Sequence, residues 1–363
     1  MVRDLILAAI GAAAVIAVLL SALRTVVVPR DEQVWLVRIV FVVSGWVFRH
    51  LARLPRSEEA REAMLARHAP FTLLGLPFVW AVGVILGFSA LFAALGVEPY
   101  REALVLSGSS FTTLGFSRTN DLAELELAIL EALLGLGLIA LLISYLPALY
   151  GAFSRREALV ARFEIRAGAP PTPEALLVRA HRIGWLDHLD DLWVEWEQWF
   201  VEVEEAHTTS PALNFFRSPT SSRSWITTAG AVLDSAAIVE SSVAVPSSAH
   251  AMLCLRAGYV SLRRVADHFH IPYDADPLPS DGVSIERSEF DEMYERLVRA
   301  GLPMKPDREQ AWKDYAGWRV NYDAVLLGIC RLVQPPWTPW SSDRAGSYQR
   351  PPMLRMPGRS SRD

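Results

Sequence analysis

Three uncharged stretches, each about as long as a bilayer core is thick, dominate the first half of this chain. Residues 5–23 are 19 residues without a charge, and after Arg24 the apolar pattern continues to Val28 before Pro29 and Arg30 stop it. Residues 71–97 are 27 uncharged residues ending at Glu98, and residues 132–153 are 22 more, with an apolar pattern that begins near Leu122 and is interrupted by Glu124, Glu126 and Glu131. About 20 apolar residues in a helix cross roughly 30 Å of hydrocarbon, so three transmembrane helices are expected. A secretory signal competes for the first run because Arg3 precedes it, but no convincing small-x-small cleavage site follows.

Composition agrees with this division. The 363 residues are 52% apolar and 21% charged, too greasy and too weakly charged for an ordinary soluble enzyme of this length. A formal net charge of −5 argues against a binder of nucleic-acid backbones. Two cysteines, Cys254 and Cys330, can build neither a disulfide framework nor a four-ligand zinc site.

Arginine bias sets the expected orientation, because short loops rich in Lys and Arg stay in the cytoplasm. Seven arginines lie in residues 29–69 (Arg30, Arg38, Arg49, Arg53, Arg56, Arg61 and Arg67), and four follow the last run at Arg155, Arg156, Arg162 and Arg166. Between Val97 and Leu122 there are only Arg101 and Arg118. Residues 97–122 are therefore expected outside, with the arginine-rich segment and everything after Phe153 inside. Within the former, residues 34–48 are apolar but short and contain Arg38. Trp35, Trp46 and Arg49 at the ends favour an interfacial helix on the cytoplasmic headgroups over a tilted span.

The outward segment reads Tyr100-Arg101-Glu102-Ala103-Leu104-Val105-Leu106-Ser107-Gly108-Ser109-Ser110-Phe111-Thr112-Thr113-Leu114-Gly115-Phe116-Ser117. Its first half, after Pro99, can form a short helix, and its second half is small and β-branched. A short helix followed by an extended strand is a re-entrant loop, tolerated at membrane depth only when buried in protein or lining water.

In this frame the sequence resembles the pore of tetrameric potassium channels, whose pattern is YxxALxxSxxxxTTVGYGD. Tyr100, Ala103, Leu104, Ser107, Thr112, Thr113 and Gly115 are identical, and Leu114 and Phe116 are close replacements. The likeness runs from the second apolar run through the third and does not reach the first helix or the C-terminal part. It implies a pore module over 70–153, with outer helix 71–97, pore helix 100–111, filter 112–117 and inner helix 122–153. The filter residues would be Thr112, Thr113, Leu114, Gly115, Phe116 and Ser117. Backbone carbonyls and the Thr113 hydroxyl would replace the water of a permeating potassium ion, with Gly115 supplying backbone freedom. Thr112 would cap the pore helix, and Phe116 would pack outward. Gly137 lies 22 residues beyond Gly115, about where that family has its hinge glycine. Gly135 and Gly137 are candidates for gating or for close helix packing. Pro147 would break the inner helix near its cytoplasmic end, and a bend there could shape a gate. Glu131 could sit behind the filter, in the upper cavity, or at an interfacial helix end.

Departures from the pattern bear on selectivity. Ser117 stands for the family's second glycine and Arg118 for the following aspartate. Ser109 occupies a position where many members hold a carboxylate, and Phe116 lacks the tyrosine hydroxyl that ties the filter to its helix.

The remainder is expected to comprise an N-terminal transmembrane helix at 1–28, a linker at 154–173, a cytoplasmic helical domain at 174–334 and a disordered tail at 335–363. Within the domain Trp185, Leu189, Leu192, Trp196, Trp199 and Val203 recur at helical spacing, opposite a face carrying eight carboxylates between Asp187 and Glu205. His181, Asp187, His188 and Asp191 are a weak metal candidate without metalloenzyme spacing, and His268 and His270 fit a helix end. No GxGxxG after a strand pattern, no Walker loop and no GxSxG elbow occurs. The expectation is an all-α membrane protein that is not an enzyme: a homotetrameric cation channel in a lipid bilayer, with no cofactor beyond permeating K+ and no nucleic-acid partner. The ligand of its cytoplasmic domain cannot be read. A membrane-tethered cytosolic enzyme or adaptor with a non-conducting, pore-like anchor is the alternative.

Overall fold

The computed structural model describes residues 1–26, 35–51, 54 and 57–346. Among these residues the chain is helical throughout, apart from one isolated antiparallel bridge between Val243 and Met304. It divides into two compact units, Met1–Gly151 and Ala152–Asp363.

The first unit contains α1 (Val2–Val26), α2 (Trp35–Leu51), α3 (Glu58–Leu95), α4 (Tyr100–Phe111) and most of α5 (Leu122–Ala167). Among the described residues three segments are long and apolar enough to cross a membrane: Val2–Val26, Arg67–Leu95 and Leu122–Ala167, with mean hydropathies of 2.7, 2.3 and 2.5 in their most apolar windows. α1 lies on α3 through small residues. A Cβ on Gly11 would come within 2.5 Å of the Gly87 carbonyl, and Cβ atoms on Gly83 and Gly87 would each come within 2.7 Å of a methyl of Val18 and Val15. Glycines four apart share one helix face, and without side chains they let two backbones approach as in small-xxx-small pairs of membrane helices. The Trp80 indole donates to Ser21 Oγ at 3.2 Å across the same contact. α2 meets α3 at a polar cluster, where Ser44 Oγ is 2.7 Å from Thr72 Oγ1 and 3.1 Å from His68 Nε2.

Two helices outrun their apolar stretches. α3 starts at Glu58, where Ser57 accepts from the Ala60 N–H at 3.2 Å, passes through Pro70 and Pro77, and stops at Gly96 with φ 110°. The outer helix expected at 71–97 is the C-terminal part of that longer helix, because helices begin where a side chain satisfies their free N–H groups rather than where charge ends. α5 likewise continues through Pro147, which does not break it, to Ala167. Residues 154–167, expected as linker, are helical because Val160, Phe163 and Ala167 join the core of the second unit. The connection shrinks to residues 168–172, where Gly168 takes φ 81° and Thr172 caps the next helix.

The second unit adds α6 (Pro173–Arg182), α7 (Leu189–Thr209), α8 (Trp225–Ser242), α9 (Ala249–His268), α10 (Arg287–Arg299), α11 (Arg308–Arg319) and α12 (Asp323–Val333). α8 is its axis. Every residue of α8 except Glu240 is buried, as expected of a helix without a polar face. α7 is amphipathic as its spacing predicts, burying Leu189, Leu192, Trp193, Trp196, Trp199, Phe200 and Val203. The tail expected to be disordered from 335 packs as far as 346, the last described residue of the chain. Thr338, Ser341 and Ala345 are buried, and Arg344 pairs with Glu289. Prolines there remove helical periodicity from the sequence without preventing docking; residues 347–363 of that expected tail lie outside the described residues.

Candidate functional site

The segment with unusual backbone follows α4. Pro99 precedes the helix, and Glu102 in its first turn complements the positive end of the helix dipole. Ala103, Leu106, Ser107, Ser109 and Phe111 are buried against the first unit's core, which includes Val84, Phe88 and Phe92 of α3. At the other end the Thr112 hydroxyl donates to the Gly108 carbonyl at 2.6 Å. The Thr113 N–H donates to Ser110 O, and the Leu114 N–H to Ser109 O, both at 3.0 Å. These two bonds form a Schellman stop, whose C′ residue takes a left-handed backbone and is usually glycine. Here it is Thr113, at φ 56°. A β-branched residue in that region is an outlier, with a cost of about 1–2 kcal/mol.

Gly115, two residues on, is left-handed again at φ 67°, with open space around its absent Cβ. Its glycine is required by backbone conformation and not by crowding. The chain then returns to α4, where the Ser117 N–H donates to the buried Ser109 hydroxyl at 3.1 Å. Asp121 starts α5 by accepting from the N–H groups of Ala123 and Glu124 at 2.9 and 3.2 Å. Residues 112–116 are exposed, including Leu114 and Phe116.

Behind this segment α5 comes very close. A Cβ on Gly135 would lie 2.5 Å from the Phe111 carbonyl, so Gly135 is a contact glycine, whereas a Cβ on Gly137 would meet nothing. One turn earlier on α5 is Glu131, fully buried, with Oε1 2.5 Å from Ser107 Oγ. Ser107 matches the pore pattern and Glu131 interrupts an apolar run, two unrelated local features. Nothing in a separation of 24 residues announces that they meet.

Further polar clusters lie in the second unit. Arg156, counted in the sequence as an orienting charge, is 4% exposed. It donates to Leu213 O at 2.8 Å, Phe216 O at 2.7 Å and Glu157 Oε1 at 2.8 Å, and lies 3.2 Å from His207 Nε2. Burial, then the neighbouring Arg156 charge, holds His207 well below the ordinary histidine pKa. The acidic face of α7 is partly answered within the unit: Glu195 pairs with Arg162 and Arg166, and Glu204 with Arg264. Among the described residues no group of three or more His, Cys, Asp or Glu side chains is placed to hold a metal ion, and His181, Asp187, His188 and Asp191 form no such group. Cys254 and Cys330 are buried free thiols, both pushed up in pKa by burial.

Compared with family models, curated proteins and solved structures, the chain finds no match in any of the three.

Proposed function

We propose that the chain is one subunit of a homotetrameric cation channel that conducts potassium passively. The observation that carries this reading is the segment 112–117. It follows a short helix directly, is exposed over residues 112–116, and alternates the sign of φ, with Thr113 and Gly115 left-handed between ordinary residues. In a β-strand successive carbonyls point to opposite sides. A filter needs successive carbonyls turned toward the ion instead, and left-handed residues at every second position are how the proposed filter would turn them.

Two further observations support assembly in a membrane. The most apolar window of α5 is 11% buried, against 44% for that of α3, so α5 presents a face to lipid or to other copies. Leu114 and Phe116 are 70% and 65% exposed, an apolar edge that a symmetric neighbour would cover. One chain supplies one such segment, and closing a ring around an ion takes copies related by an axis. The sidedness follows the arginine bias: segment 97–122 outside, the second unit cytoplasmic.

In this mechanism a potassium ion sheds water at the Thr113 hydroxyl and carbonyl, passes the carbonyls of Leu114, Gly115 and Phe116, and leaves under repulsion from the next ion. Ser117 and Arg118 at the outer end weaken discrimination relative to a glycine and an aspartate there. The test is flux from liposomes holding the reconstituted full-length protein, with potassium against sodium gradients, comparing wild type with Gly115→Ala. Potassium flux that disappears in the variant supports the filter; equal flux from both proteins removes it.

A further inference from the structure

If 112–117 is a filter, as proposed above, the position of α4 has to be held, and the contact behind it is unusual. Glu131 Oε1 on α5 is 2.5 Å from Ser107 Oγ on α4, and the same oxygen of Ser107 is 2.9 Å from the Ile85 carbonyl on α3. Ser89 Oγ also reaches that carbonyl, at 2.6 Å. The second carboxyl oxygen, Glu131 Oε2, is buried without a partner.

A serine hydroxyl carries one hydrogen, and a carbonyl can only accept. If Ser107 donates to Ile85, the short contact between Ser107 and Glu131 needs its hydrogen from Glu131. If Ser107 instead donates to Glu131, a full carboxylate charge is buried with a single donor and one bare oxygen, an arrangement burial penalises severely. Only the neutral acid gives both short contacts a hydrogen, and it leaves a carbonyl-type oxygen, not a charge, without a partner.

We infer that Glu131 is a positioning residue carried as a neutral carboxylic acid, and that the chain from Glu131 to Ser107 to the Ile85 carbonyl pins α4 between α5 and α3. Gly135, one turn further on, permits the close approach that brings Glu131 within reach. The three helices are thus joined at one point just behind the filter segment.

Two measurements on the reconstituted full-length protein test the inference. In infrared spectra, wild type minus Glu131→Gln is expected to show a protonated-carboxyl C=O band; carboxylate bands in its place would overturn the neutral link. In potassium and sodium flux, Glu131→Gln keeps a donor for Ser107 and is expected to hold the selectivity ratio within about twofold, whereas Glu131→Leu and Ser107→Ala each lower it about tenfold. A Gln variant that falls as far as the Leu variant overturns the inference. If Glu131→Leu does not assemble, Ser107→Ala decides the same question with a smaller excision. Absence of flux from wild type overturns the channel reading alone, and the infrared comparison still decides the protonated link.

Discussion

Asp234 in the second unit and Glu131 in the first are both buried carboxyl groups, and their surroundings differ. Asp234, on the axial helix α8, accepts from Arg319 Nη1 at 2.8 Å on both oxygens, and from the hydroxyls of Tyr322 and Tyr315 at 2.8 and 3.1 Å. Arg319 also donates to Asp323 at 2.7 Å and to Trp340 O at 2.8 Å. Burial works against the Arg319 charge, but Asp234 and Asp323 beside it hold its pKa well above the ordinary value. Glu131 has Ser107 alone and one oxygen unanswered. A buried carboxyl closed by a cation and hydroxyls, as Asp234 is, is pushed up in pKa by burial and pulled back by those partners. One left with a lone hydroxyl is carried neutral, and what it fixes is the position of a helix.

The comparison breaks most visibly at Arg319. Arg319→Leu strands Asp234 as an uncompensated buried charge, with an expected loss of about 3–5 kcal/mol in urea unfolding followed by tryptophan emission. Adding Asp234→Asn is expected to recover part of that loss, since the two residues act as a pair. Unchanged stability in the single variant would show that the network contributes nothing.

On the membrane-length side the corresponding break is at Gly135. Gly135→Ala places a methyl 2.5 Å from the Phe111 carbonyl and drives α5 off α4, an overpacking cost of about 1–3 kcal/mol. Gly137→Ala meets nothing. Flux and detergent-phase tetramer content should fall for the first variant and hold for the second. The reverse order would make Gly137, at the hinge position of the resemblance, the glycine that matters.

A third buried titratable group sharpens the contrast within the second unit. His207 Nδ1 faces Asn214 Oδ1 at 2.9 Å and Nε2 faces Arg156, which can only donate, so the ring is the neutral tautomer protonated at Nδ1. With the folded pKa below the unfolded value of about 6.5, the unfolded state binds the extra proton. The stability His207 contributes is therefore fully present above pH 6.5 and lost as pH falls below it, with a slope approaching about 1.4 kcal/mol per pH unit. His207→Gln should flatten unfolding free energy against pH in that window. A variant curve parallel to wild type would put the acid sensitivity elsewhere.

How much of this was legible in the sequence follows from how local each feature is. The three apolar runs and the heptad-like spacing of the α7 tryptophans are local patterns, and the helices appear where those patterns lie. The extension of α3 to Glu58 and of α5 to Ala167 was not legible, because charge marks the edge of an apolar stretch while the helix continues to its cap or its next core contact. The α8 stretch gave no amphipathic signal to read because nearly all of it is buried. Arg156 looked like a surface charge because its partners Leu213 and Phe216 are carbonyls nearly 60 residues away. The Schellman stop was hidden for another reason: its C′ residue is a threonine, and glycine is the usual signal.

That threonine gives the smallest and most specific test. Thr113→Gly removes the penalty of a β-branched side chain at φ 56° and should leave stability unchanged or raise it by about 1 kcal/mol. A residue kept at such a position against local preference points to a use for its side chain. In the proposed filter that use is the hydroxyl at the inner end, so Thr113→Gly should lower the potassium-to-sodium flux ratio while melting no earlier than wild type. Thr113→Ser, which keeps the hydroxyl and drops the methyl, should hold the ratio. Like Glu131, Thr113 then tolerates a local cost for the sake of one atom's position, and unlike Asp234 it returns nothing to the fold. A glycine variant with unaltered selectivity would make Thr113 an ordinary helix stop and leave the carbonyls alone to discriminate.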